Sequence, residues 1–263
     1  MADGATTTLQ SPLIELRGVH KRFGKLVVLD GLDLRVAERE CLVVIGPSGT
    51  GKSVLLKHIL GLLRPDKGEV YFRGKRIDQL TERRLEPIRR RFGFLFQMGA
   101  LFDSLSVGEN VAFPLRENGS FTDEEIDDRV KQKLGMVGLE GTANKMPSEM
   151  SGGQRKRVAL ARAIALDPEV VLYDEPTTGL DPIRSDVINE LILKLNNETN
   201  VTSIVVTHDM TSALKVADRM VMLLGGKVRF DGTPEQIKQT DDEEVQRFVQ
   251  GRASESDLRA LRG

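Results

Sequence analysis

The run Gly46-Pro47-Ser48-Gly49-Thr50-Gly51-Lys52-Ser53 has the residue types and spacing to hold an anion. Glycines at both ends let the backbone curl and turn successive N–H groups inward. The apolar run 41–45 ahead of it reads as a strand, and Lys52 opens a helix whose N-terminus adds roughly half a positive charge. Lys52 is a compact cation able to reach the outer oxygens of a polyphosphate, and the Ser53 hydroxyl is placed to bind a Mg²⁺ that bridges them. The spacing fits the phosphate-binding loop G-x-x-x-x-G-K-S in full; for this octapeptide alone, a glycine-rich turn without a ligand is the alternative.

Downstream groups extend the same chemistry. The stretch 169–175 is a mostly apolar strand ending in Asp174 and Glu175. A parallel sheet delivers such residues to its carboxyl edge, where the glycine loop also lies. There Asp174 can hold the Mg²⁺ shell and Glu175 can orient an attacking water. The buried strand 202–209 ends in His208; alone that histidine reads as structural, and beside Glu175 it reads as a sensor of the terminal phosphate. Ser151-Gly152-Gly153-Gln154 precedes a strong helix that Ser151 can cap. A cap does not require two glycines in the first turn, each costing about 1 kcal/mol relative to Ala. Bare backbone at a helix N-terminus is better explained by close approach of a phosphate. Phe23, beside Lys21, Arg22 and Lys25 in a turn, is either a partly covered turn residue or a ring on which a base stacks.

These residues need a scaffold. Residues 13–19 and 27–36 partly alternate, as antiparallel strands with one wet face do. Residues 54–63 are apolar on nearly every side, predicting a helix buried against the sheet and stopped by Pro65. Residues 68–77 read as a hairpin, 81–91 as a short basic helix or turn, and 92–97 as a strand ending in Gln97. Arg83, Arg84, Arg89, Arg90 and Arg91 could bind phosphate, but without interleaved aromatic residues a solvated face is the better reading. From about 98 to 165 the pattern is helical with little strand signal, as in a helical subdomain inserted into an α/β core. A Gly225-Gly226 hairpin follows at 221–230, and Thr233-Pro234-Glu235-Gln236 opens a capped helix.

Composition narrows the classes. Lys plus Arg number 38 against 39 for Asp plus Glu, so no global basic field attracts nucleic acid, and no nucleic-acid partner is expected. The one cysteine, Cys41, sits in a predicted strand as a small core hydrophobe and excludes an internal disulfide. No apolar run approaches the ~18 residues of a membrane span, and the start lacks signal-peptide character, so the chain is expected in the cytosol unless a partner holds it at a membrane.

With every motif in this order, residues 13 to about 238 resemble the nucleotide-binding subunits of ABC transporters. The resemblance implies a P-loop NTPase core, ATP and Mg²⁺ as ligands, and ATP hydrolysis coupled to transport. It implies one domain over 13–250: an α/β core with an antiparallel β subdomain in 13–97 and 166–238, and the helical subdomain in 98–165. Residues 1–12 and 251–263 are then tails. By the resemblance Phe23 is the A-loop aromatic, 46–53 is Walker A, and Gln97 is the Q-loop glutamine in the Mg²⁺ shell. Ser151 to Gln154 form the signature, Asp174 and Glu175 end Walker B, Asp181 lies in the D-loop, and His208 is the switch histidine. Val54 stands where a hydroxyl residue commonly follows Lys-Ser, keeping only its backbone N–H for the α-phosphate. Met150 replaces a leucine of similar volume.

The resemblance also implies two copies facing head to tail, each ATP lying between one P-loop and the other's signature helix, and a separate integral-membrane permease. Residues 96–103, 110–116 and 174–183 resemble more narrowly the Mla-type, MCE-associated ATPases. That implies a phospholipid cargo, an MlaE-like permease, an MCE-domain lipid-binding protein, and a peripheral place on the cytoplasmic face of the inner membrane. The alternatives are an importer ATPase for another small solute and a non-transport ABC ATPase acting on nucleic acid or ribosomes. The lack of a long coiled coil, a zinc-site cysteine set and a second P-loop argues against the last.

Overall fold

Five consecutive apolar residues with no exposed member, Cys41–Ile45, form the strand (β3) at the middle of the fold. Ahead of it run β1 (Ile14–Phe23) and β2 (Leu26–Val36); after it come α1 (Lys52–Ile59), β4 (Lys67–Phe72), β5 (Lys75–Arg76), α2 (Glu82–Arg89) and β6 (Phe92–Leu95). A helical stretch follows: α3 (Val107–Asn118), α4 (Asp123–Met136) and α5 (Gly152–Ala163). The chain then alternates through β7 (Val170–Asp174), α6 (Pro182–Thr199), β8 (Thr202–Val206) and α7 (Met210–Val216). It closes with β9 (Arg219–Leu224), β10 (Lys227–Gly232), α8 (Pro234–Gln239) and α9 (Glu243–Val249). The computed structural model describes residues 11–253; most of the expected N-terminal tail, and the C-terminal tail from 254 on, lie outside them.

Two sheets share the work. The larger has the order β10-β9-β3-β8-β7-β6, parallel except for β10, and its middle strands β3, β7 and β8 are apolar runs because both faces are covered. The smaller is antiparallel, β2-β1-β4-β5, and alternates buried and wet positions. Between them sits α1. Its Leu55, Leu56 and Ile59 join one core with Leu16, Leu29 and Leu34 of the small sheet and Val44, Leu172 and Ile204 of the large one. On the opposite face α5 and α6 bury Val158, Leu160, Ile188 and Ile192 against Val43, Val171 and Val205, with α3 and α4 packed on α5.

Register aligns the strand ends. Val44 of β3 pairs with Val206 of β8, and Val206 pairs with Asp174 of β7. The three loops that leave these strands carry Gly46, Glu175 and His208, so in-register pairing sets their bases side by side.

Several elements differ from expectation. Helix α1 ends at Ile59, with Gly61 in the left-handed region at φ +66°, so a glycine rather than Pro65 turns the chain, and Leu62 is left half exposed. Phe23 closes β1, paired with Leu26, instead of lying in the turn. The arginine run divides: Arg83 and Arg84 on α2 are exposed, as a solvated face would be, while the other three are engaged. Arg89 grips Glu82 and the carbonyls of Leu60 and Gly61, Arg90 grips Glu86, and Arg91 binds Glu169 over the Phe72 ring. No helix among the described residues is long and apolar enough to cross a membrane.

Candidate functional site

The glycine loop is shaped by contacts that leave no room for side chains. Gly46 sits at φ +146°, and a Cβ there would lie 2.3 Å from the carbonyl oxygen of Leu223 on β9. Gly51, the N-cap of α1, has φ +97° and no side-chain cap, so the first N–H groups of that helix remain free for an anion. Thr50 braces the loop from within, its hydroxyl donating to the Pro47 carbonyl at 2.9 Å.

Lys52 is buried, its ammonium donating to the carbonyls of Gly46 at 2.7 Å and Pro47 at 3.0 Å. Burial holds its pKa below the usual lysine value, while Glu175 and Asp174 pull it back up. The Ser53 hydroxyl donates to Asp174 Oδ1 at 2.9 Å, joining the start of α1 to the end of β7 across 121 residues of chain. Burial also pushes the Asp174 carboxyl above its usual range, against the Ser53 hydrogen bond.

Glu175, immediately after β7, is largely buried and takes three contacts on Oε2: His208 Nδ1 at 2.9 Å, Thr178 Oγ1 at 3.3 Å and Thr207 Oγ1 at 3.4 Å. His208 stays open to solvent on its other side. The carboxylate is thus aimed by partners from two strand-end loops.

A cleft of about 400 Å³ gathers these groups. Ser48, Gly49, Gly51, Lys52, Ser53 and Val54 form its floor, Phe23 one rim, and Gln97, Glu175 and His208 the other. Phe23 is 48% exposed and carries Lys21 Nζ 5.7 Å from its ring centre, a flat apolar surface at the open end of an anion cradle. Of the two sequence readings of Phe23, a partly covered turn residue and a ring on which a base stacks, the second is compatible with its place in the lining of the cleft.

Ser151 to Gln154 and Asp181 are not among the residues lining that cleft. Ser151 caps α5 in a reciprocal box, its Oγ accepting from Gln154 N at 3.3 Å while Gln154 Oε1 accepts from Ser151 N at 2.9 Å. Asp181 caps α6 by accepting from Arg184 N at 3.0 Å. The two caps are neighbours: a Cβ on Gly152 would meet Leu180, and one on Gly153 would meet Arg184. They form an outward face rather than part of the same cleft.

A second hollow of about 470 Å³ opens beside Gln97, and it is apolar. Phe94 and Phe96 lie at 4.3 Å and Phe102 and Phe113 at 4.7 Å between ring centres, with Phe96, Phe102 and Phe113 partly exposed. Sequence reasoning did not see the hollow, because Phe113, on α3, comes from another element than Phe94 and Phe96.

Sequence reasoning also missed Lys156, which it placed in the helix after Ser151–Gln154 without giving it a task. It is buried, and its ammonium binds the Gln97 carbonyl and, at 3.3 Å, that of Glu175. Its spacing was the available signal: Lys156 falls three residues after Gly153 and four before Leu160, on the buried stripe of α5.

The site fits a Mg-bound nucleoside triphosphate on its own donor set. A cradle that a single Cβ would fill, a free helix N-terminus with a lysine across it, and a hydroxyl–carboxylate pair suit phosphates and a hard cation with oxygen ligands. Among the described residues no three His, Cys, Asp or Glu side chains come together to hold a metal, so phosphate and water oxygens would complete the shell.

Comparison with known proteins agrees with this geometry. The family described as ABC transporter matches residues 29–178. The intermembrane phospholipid transport system ATP-binding protein MlaF of Haemophilus influenzae is 46% identical over 239 residues, covering 91% of this chain and 90% of that protein. The probable ribonucleotide transport ATP-binding protein mkl of Mycobacterium tuberculosis is 43% identical, covering 91% of this chain and 67% of that protein. Among solved structures, the dimeric post-hydrolysis state of an ATP-binding cassette bound to ADP and phosphate aligns at a TM-score of 0.77 and 37% identity. It covers 84% of this chain and 98% of the other.

Proposed function

This chain belongs to the ABC transporter family and is an ATPase whose hydrolysis is coupled to transport; from that premise, we propose that it drives lipid, specifically phospholipid, movement between membranes. In this reading it works as a head-to-tail pair of copies beneath an MlaE-like permease, with an MCE-domain protein carrying the lipid. The observation that carries the catalytic part is the convergence of Lys52, the Ser53–Asp174 pair and the Glu175–His208 pair on one cleft. The phospholipid part is supported by 46% identity to a phospholipid-transport ATPase along nearly the whole chain.

Each residue has a task that its contacts support. Lys52 exchanges its two carbonyl partners for outer phosphate oxygens. Ser53, Asp174 and Gln97 would hold Mg²⁺, which would supply positive charge to neutralise the phosphate oxygens. Glu175 works by aligning water; His208, Thr178 and Thr207 fix its orientation. Phe23 stacks on the base. Gly152 and Gly153 bring backbone without side chains, with the Ser151 hydroxyl beside them, toward the nucleotide of the second copy, consistent with their place outside this copy's cleft and with the dimeric cassette of similar fold. The Phe96–Phe102–Phe113 hollow beside Gln97 suits docking of a permease segment, which supports a peripheral position at the cytoplasmic face of the membrane in this reading.

A second reading keeps the ATPase and changes the cargo to a small solute, favoured by the likeness to a protein named for ribonucleotide transport. The test is a pull-down of the Glu175→Gln variant with ATP from detergent-solubilised native membranes, with proteins and lipids identified by mass spectrometry. An MlaE-like permease, an MCE protein and enriched phospholipid are expected. A different permease without an MCE protein would discard the lipid reading and keep the ATPase.

A further inference from the structure

One buried cation has no task in that scheme. Lys156 is 7% exposed, whereas its neighbours Arg155 and Arg157 reach solvent. No carboxylate among the described residues lies within ion-pair distance of it; its partners are the backbone oxygens of Gln97 and Glu175. A lysine placed so deep for two neutral acceptors carries a large desolvation cost, and the bonds it makes are charge-assisted.

The two carbonyls belong to backbone that needs holding. Glu175 adopts a left-handed conformation at φ +52°, where a non-glycine residue stays only if its surroundings fix it. On one side its N–H donates to the Val206 carbonyl at 2.9 Å, and on the other its own carbonyl takes Lys156. Gln97 begins an irregular loop that α5 grips again further along, where Arg162 donates to the carbonyls of Gly99 at 2.7 Å and Ala100 at 2.8 Å. Lys156 and Arg162 thus clamp the loop to one helix at two points. That helix begins with Ser151, Gly152 and Gly153.

We infer that Lys156 is a positioning residue, fixing the backbones of Glu175 and Gln97 to the helix that starts at Gly152, so that these three groups move as one body. The inference rests on reading Glu175 as the residue that aligns water. Its consequence is a link between sites: Glu175 and Gln97 face this copy's own nucleotide, while the start of α5 faces that of the second copy. A shift of α5 on one nucleotide is then carried by a single ammonium to the water-aligning carboxylate on the other.

The test uses the full-length chain with Lys156→Met, which keeps length and volume and removes the donor, and with Lys156→Arg. Glu175→Gln is measured in parallel. For Lys156→Met, kcat is expected to fall about tenfold or more, with KM for ATP, affinity for a fluorescent ATP analogue and melting temperature little changed; Lys156→Arg should recover most of the rate. A kcat for Lys156→Met within about twofold of the natural chain overturns the proposal. So does a loss that Lys156→Arg does not restore and that falls together with nucleotide affinity and melting temperature. If Lys156→Met does not fold, Lys156→Gln takes its place under the same criteria. Rapid hydrolysis by Glu175→Gln would strike at the site reading instead, so the two failures are told apart.

Discussion

Gly46→Ala tests whether the sheet sets the phosphate cradle. The added Cβ would lie 2.3 Å from the Leu223 carbonyl oxygen, about 1 Å short of the 3.4 Å at which ordinary contact begins. Leu223 belongs to β9, hydrogen-bonded in register to β3 through Ile45 and Met222, so the sheet backbone holds and the loop must give way. Overpacking costs about 1–3 kcal/mol, and forcing alanine to φ +146° adds about 1–3 kcal/mol. At about 2–4 °C per kcal/mol for a domain of this size, the melting temperature should drop by roughly 4–24 °C. A loop displaced by about 1 Å also misaligns the groups around the reacting phosphate, worth about 10²-fold in rate. The control is Gly119→Ala beyond α3: φ is +65° but nothing lies within 4 Å of the new Cβ, so it carries conformational strain alone, with no loss of ATPase rate. The readouts are thermal melting and steady-state ATP hydrolysis for both variants. If Gly46→Ala melts within about 2 °C of the natural chain and keeps more than about a third of its rate, contact with β9 does not shape the cradle.

Two further outcomes follow from charges at the site. Burial raises the folded pKa of Asp174 above its unfolded value, so its contribution to stability is complete below the unfolded pKa and is lost as pH rises through the folded one. In metal-free buffer, Asp174→Asn should therefore melt above the natural chain at neutral pH, the gap closing as pH falls toward about 4, while Mg-dependent hydrolysis is lost; a pH-independent gap would contradict this. Lys52→Met should lower ATP affinity, measured by equilibrium titration with a fluorescent analogue, by about tenfold or more, because no other lysine or arginine among the described residues lines the cleft; unaltered binding would refute the role given to the lysine.

What could be read in the sequence was what is local along the chain. The glycine loop, the paired carboxylates, the capping residues Ser151 and Thr233 and the Gly-Gly hairpin each follow from a few neighbouring residues, and the structure forms them where expected. Phe23 and the end of α1 came out displaced because hairpin register and a left-handed Gly61, rather than Pro65, decided them. Lys156 and the aromatic hollow were illegible for another reason. Both depend on α5 and α3 lying against a loop far away in sequence, and a basic triplet or a scattered phenylalanine looks the same whether exposed or buried. The pairing of Ser53 with Asp174 lay between, since two strong motifs implied their meeting without giving its geometry.

The cap on α5 divides the two hydrogen-bonding capacities of one hydroxyl. Ser151 Oγ holds the helix by accepting from Gln154 N, which uses a lone pair and leaves the hydroxyl proton uncommitted. That proton can point outward to an anion without loosening the turn beneath it, so anchoring and recognition do not compete. Aspartate caps helices as well as serine does but has no proton to offer and brings a negative charge. At residue 151 it would preserve the helix and repel a phosphate, so under the proposed function serine's bifunctionality, beyond its merit as a cap, is what the position would exploit.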